Sequence, residues 1–77
     1  MIEAQEINID ETYIHIGFQN GLVVSMPIAW STRLTKATHE DRLNFKLIGN
    51  GAMIEWETLD EHVDIEEILK ESLKQVA

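Results

Sequence analysis

The chain has 77 residues, no cysteine and a formal charge of -8 at pH 7. That length points to a single domain over residues 1–77, small enough to bury only roughly 60% of its unfolded surface; a shallow groove, or a site shared between subunits, is expected rather than a deep internal pocket. The composition excludes a disulfide scaffold, a thiolate metal site and a cysteine nucleophile, and the charge disfavours direct contact with nucleic-acid phosphates or anionic lipid.

The chain opens on Met1-Ile-Glu-Ala-Gln-Glu6, which has neither the basic nor the apolar stretch of a signal peptide. No later apolar run approaches the ~20 residues that cross a bilayer, so a cytoplasmic location without membrane contact is expected. Residues 2–9 alternate in part, with Ile7 and Ile9 on one face and Glu6, Asn8 and Asp10 on the other, which predicts a strand. Asp10-Glu11-Thr12 reads as a hairpin turn. Ile14, Ile16 and Phe18 then alternate with Tyr13, His15 and Gly17 as a second strand. Asn20-Gly21 predicts a type I′ turn, and residues 22–26 pair back as a third strand.

Pro27 lacks an N–H for a ladder and ends that strand. Ile28, Ala29 and Trp30 lead into Ser31, a good N-cap for one or two helical turns over 31–37. Thr38 followed by Asp41 approximates a capping box and predicts helix over 38–43. Residues 44–48 and 52–56 flank Gly49-Asn50-Gly51 and predict a second hairpin. Residues 60–64 read as a polar connection. Asp64 caps a last helix whose apolar stripe is Ile65, Ile68, Leu69, Leu73 and Val76. Its early acids and later Lys70 and Lys74 suit the helix dipole. The order β-β-β-α-β-β-α predicts an α+β fold: one antiparallel sheet of about five strands with the helices on one face.

The charge is uneven. Glu55, Glu57, Asp60, Glu61, Asp64, Glu66 and Glu67 follow one another with no Lys or Arg among them. Solubility alone would explain such a run. Arg33 and Arg42, in the short helical region, are expected to pair with it, within one chain or between two, in preference to the alternative of binding an anionic ligand. Asp60, His62 and Asp64 could offer oxygen and imidazole ligands to a divalent cation, although a solvated turn before a helix cap explains them without a metal. Trp30 and Trp56 each follow a strand-like stretch; in a small core a tryptophan most often packs, and it is also a usual interface anchor. Ser25, Ser31 and Ser72 lie in no nucleophile elbow, and no glycine-rich phosphate loop occurs. No set of groups in the sequence fills catalytic roles.

A wider pattern runs through Asn20-Gly21, Pro27-Ile-Ala-Trp30, Arg33-Leu34, Ala37-Thr38, Arg42-Leu-Asn-Phe45, Gly49, Gly51, Ile54-Glu-Trp56 and Leu59-Asp-Glu61. In these residues the chain resembles a small bacterial family known only as a domain of unknown function, typified by the N-terminal domain of a Nitrosomonas protein. The resemblance implies a compact α+β fold and no particular activity. Its members stand alone, or joined to a helix-turn-helix domain, or beside a second small protein in arrangements like toxin–antitoxin pairs. The chain departs from the pattern at Glu55, where a histidine is common, at Glu57, often proline, and at His62, where an acid is usual.

The expected function is therefore a non-catalytic protein-interaction or regulatory module, the acidic partner of a toxin–antitoxin-like pair. It would have no cofactor, a basic protein partner and room for homo-oligomer formation. Its interaction candidates are Trp30, Arg33, Arg42, Trp56, Asp60 and Glu61. The alternative is a small-ligand or divalent-metal-binding domain using Asp60, His62 and Asp64.

Overall fold

A computed structural model describes the backbone of residues 3–76 and the side chains through Lys74. The beginning of the first predicted strand at Ile2, and the Val76 side chain of the last helical stripe, lie outside the described residues.

The described residues form two sheets rather than one. The first is antiparallel, in the order β1 (Ala4–Ile9), β2 (Tyr13–Phe18), β3 (Val23–Pro27). The second is antiparallel in the order β4 (Lys46–Ile48), β5 (Met53–Trp56), β6 (Glu61–Asp64). Between them a 3-10 turn at Ile28–Trp30 and two short helices, α1 (Thr32–Lys36) and α2 (His39–Leu43), carry the chain away from the β3 edge. The second hairpin therefore cannot extend the first ladder, and the expected single five-stranded sheet with helices on one face gives way to two three-stranded sheets. The chain closes with α3 (Ile65–Val76).

β6 replaces the expected polar connection. Its register sets Val63 opposite Ile54 and Glu61 opposite Trp56. Val63 is its one buried side chain, so the period-2 signal of a strand is nearly absent from its sequence. The reversal that delivers it is a 3-10 turn at Glu57–Leu59 ending on Asp60, whose φ of 51° is left-handed, a conformation that aspartate tolerates better than most residues.

The Asn20-Gly21 hairpin also differs from expectation. Gly21 alone takes the left-handed conformation there, at φ 89°. Its N–H donates to the Phe18 carbonyl (3.0 Å), and the Phe18 N–H donates to Leu22 (2.9 Å). This is a three-residue loop with a bulge glycine rather than a two-residue type I′ turn. The caps follow their sequence signals: Ser31 Oγ accepts from the Leu34 N–H, Thr38 Oγ1 from Asp41 and Asp64 Oδ1 from Glu67.

One core joins all of this. Ile14, Ile16 and Met26 of the first sheet, Ile54, Trp56 and Val63 of the second, Leu34 of α1 and Ile65 of α3 are buried in one cluster. Each such side chain contributes roughly 1.5–3 kcal/mol of burial. The sheets also meet through backbone. The Ala4 N–H of β1 donates to the Gly51 carbonyl in the turn before β5 (2.8 Å), while the Ile65 N–H donates to Ala52 (3.0 Å) and continues the β5–β6 ladder into α3. Gly51 has a φ of 84°, and a Cβ on it would stand 2.3 Å from the Ala4 oxygen. A glycine is required there by both conformation and space.

Candidate functional site

Part of the sequence pattern, Arg33, Arg42, Asp60 and Glu61, converges on α1. At its start Ser31, only 6% exposed, accepts from the Leu34 N–H at 3.2 Å and donates to Glu61 Oε2 at 2.6 Å. The other Glu61 oxygen accepts the His62 N–H. One turn on, Arg33 donates to the Asp60 carbonyl and pairs with the Asp60 carboxylate at 3.4 Å. At the far end of α1, Arg42 reaches from α2 and donates to the carbonyls of Leu34 (2.7 Å) and Thr35 (3.1 Å). The Leu34 carbonyl also accepts the Ala37 N–H (3.2 Å), so the guanidinium adds a second donor there, and a cation at this end suits the helix dipole. The buried Trp56 indole N–H in turn donates to the Arg42 carbonyl at 2.8 Å, and its ring packs at a tilt on Phe45.

Five of the six interaction candidates thus hold the fold: Arg33, Arg42, Trp56, Asp60 and Glu61 fix α1 between β6 and α2. Arg33 pairs within the chain, one of the two arrangements open to it, whereas Arg42 finds carbonyls rather than carboxylates. The sixth, Trp30, is 41% exposed.

Trp30 stands on a groove of about 430 Å³ beside β6 and α3. Met26, Val63 and Ile68 give it an apolar floor, and Glu61, His62, Asp64, Glu67 and Glu71 give it polar walls. No Lys or Arg lines it. Its position follows from the elements around it: the Ser31 and Arg33 bonds hold the start of α1 against the β6 end, β6 lines the groove along its whole length from Glu61 to Asp64, and α3 presents Glu67 and Glu71 one turn apart.

The acidic run divides in the folded chain. Glu57 pairs with Lys46 (2.9 Å), Asp60 with Arg33 and Glu66 with Lys70. The Lys46 ammonium holds the Glu57 carboxyl below its ordinary pKa, and Glu57 raises Lys46. Glu61 is occupied by Ser31. Among the described residues no ion pair engages Asp64 or Glu67, and Glu71 has a 3.5 Å contact with Lys74. Glu55 likewise has no ion pair among the described residues but lies outside the groove, so Asp64 and Glu67 are the unpaired carboxylates of the run that line it beside the Ser31-bound Glu61. Glu71 carries no signal in the sequence, since only the packing of α3 brings it beside Trp30.

The metal candidates are not gathered. His62 and Asp64 line the groove, whereas Asp60 stands at the turn against Arg33. Among the described residues no group of three His, Cys, Asp or Glu side chains is placed to hold an ion. No helix among them is long and apolar enough to cross a membrane.

The family described as "Protein of unknown function (DUF2442)" matches residues 4–74, in agreement with the resemblance to a small family of unknown function. No curated protein matches the chain. A crystal structure of a protein of unknown function from Rhodospirillum rubrum ATCC 11170 is similar in fold, with a TM-score of 0.82 at 19% identity, over 92% of this chain and 88% of that one.

Proposed function

The chain belongs to the DUF2442 family of proteins of unknown function, and we propose that it is a protein-interaction module that takes a basic segment of a partner protein in the groove beside Trp30. The observation that carries this reading is the groove lining: an exposed indole together with Asp64, Glu67 and Glu71, and no basic side chain. A guanidinium or ammonium on the indole face gains a cation–π contact of about 0.5–2 kcal/mol. The carboxylates around it supply charge-assisted acceptors, and a chain charge of -8 steers a basic partner inward.

A partner of different sequence fits better than a second copy. Arg33, Lys46, Lys70 and Lys74 pair with carboxylates and Arg42 with carbonyls, so self-association has few uncommitted cations to offer this groove. The same groove suits the acidic member of a toxin–antitoxin-like pair, whose counterpart would present the basic surface. Catalysis in the groove finds no support, because its one hydroxyl, on Ser31, is committed to Leu34 and Glu61.

Titration of isotope-labelled protein with a short arginine- and lysine-rich peptide tests the reading. The expected result is movement of the Trp30 indole resonance and of the Asp64, Glu67 and Glu71 amides, weakening as salt is added. No movement, or movement centred on β1 and β2, would overturn it.

A further inference from the structure

The solvent face of the first sheet carries a polar set that the groove does not use. Asp10 stands in the turn between β1 and β2, where its Oδ1 accepts the N–H groups of Thr12 (2.8 Å) and Tyr13 (2.6 Å). Its Oδ2 lies 2.8 Å from His15 Nε2. His15 Nδ1 lies 2.6 Å from Ser25 Oγ. The carboxylate only accepts, so in the neutral imidazole the proton sits on Nε2. Nδ1 is then a lone pair that accepts the Ser25 hydroxyl proton. Contacts to His15, Tyr13 and Thr12 hold the Asp10 carboxyl down at about 2, which keeps it a carboxylate at neutral pH.

The register explains the closeness. His15 and Ser25 are partners across β2 and β3. Ladder bonds fall on Phe18 with Leu22 and on Thr12 with Ile28, so antiparallel alternation makes His15–Ser25 a non-hydrogen-bonded pair, the kind whose side chains stand closer. In such a pair the Ser25 N–H points away from β2. Since β3 is an edge of its sheet, that N–H faces outward, beside its own hydroxyl.

We propose that Ser25 is an acyl-acceptor site, with His15 as its base and Asp10 as the positioning residue, that takes the acyl group of an activated carboxylic ester. Ser25 Oγ bonds to the acyl carbon. The bond from that carbon to the leaving-group oxygen breaks, and the leaving group departs with the electron pair. The hydroxyl proton passes to His15 Nδ1 and from there to solvent. The outward Ser25 N–H is the donor nearest the developing oxyanion. The site is separate from the groove and stands or falls independently of it.

The test is p-nitrophenyl acetate with the whole chain, followed by nitrophenolate release and peptide mass mapping. One acetyl group on Ser25 is expected, lost in Ser25→Ala. His15→Gln and Asp10→Asn should each slow its formation at least ~10-fold at a temperature where circular dichroism shows both variants folded. Asp10→Asn is the informative variant: its Oδ1 still accepts Thr12 and Tyr13, but its amide donates to Nε2 and reverses the tautomer. Acetyl groups found only on lysines or the amino terminus, or a Ser25 rate indifferent to His15→Gln and Asp10→Asn, would overturn the proposal.

Discussion

Replacing Gly51 by alanine tests whether the two sheets depend on their backbone junction. The new Cβ would meet the Ala4 oxygen at 2.3 Å, its nitrogen at 2.9 Å and its carbonyl carbon at 3.2 Å. All three are backbone atoms, so no side-chain rotation relieves them. A left-handed alanine costs about 1–2 kcal/mol. Separating Ala4 from Gly51 leaves a buried N–H and carbonyl unpaired, about 1–3 kcal/mol more. A total near ~3 kcal/mol lowers Tm by roughly 12–24 °C in a domain of this size. Gly21→Ala is the control: its φ is 89° but nothing lies within 4 Å of its added Cβ, so it carries only the conformational cost of about 1–2 kcal/mol. Urea unfolding followed by tryptophan fluorescence measures both. Equal losses for the two variants, or a Gly51→Ala loss below ~1 kcal/mol, would refute the reasoning.

Trp56→Phe removes the indole bond to the Arg42 carbonyl and leaves a void, an expected loss of about 2 kcal/mol by thermal unfolding. Ser31→Ala removes an N-cap and the Glu61 bond together, also about 2 kcal/mol in urea. The Asp10 carboxyl is lowered from 3.8 to about 2, so its stabilisation is present above pH 3.8 and is lost as pH falls toward 2; Asp10→Asn should flatten the stability profile in that window.

Much of the fold is legible in the sequence because it rests on local chemistry. Ser31, Thr38 and Asp64 cap the helices they precede, and Ile14, Ile16 and Phe18 alternate into the core as their spacing predicts. What is not legible depends on register and on long-range packing. β6 carries a single inward side chain, Val63, so nothing in Glu61-His-Val-Asp64 announces a strand. The division into two sheets follows from where the segment after Pro27 leaves the edge, which periodicity does not encode. Trp30, Arg33, Arg42, Trp56, Asp60 and Glu61 stand out in the sequence pattern, yet only the structure separates the five that hold α1 from the exposed indole. Asp10, His15 and Ser25 are separated by only 5 and 10 residues, but no motif marks them, and the hairpin register is what brings them into line.

The most direct test of the central claim is the affinity of an arginine- and lysine-rich peptide for three chains: unaltered, Glu67→Lys with Glu71→Lys, and Glu11→Lys in the turn of the first hairpin. A groove that recognises a basic segment predicts at least a ~10-fold loss for the groove variant, where like charges now face each other, and near-unaltered binding for Glu11→Lys. Equal losses per charge in both variants would mean that net charge alone attracts the peptide, contradicting a binding site beside Trp30.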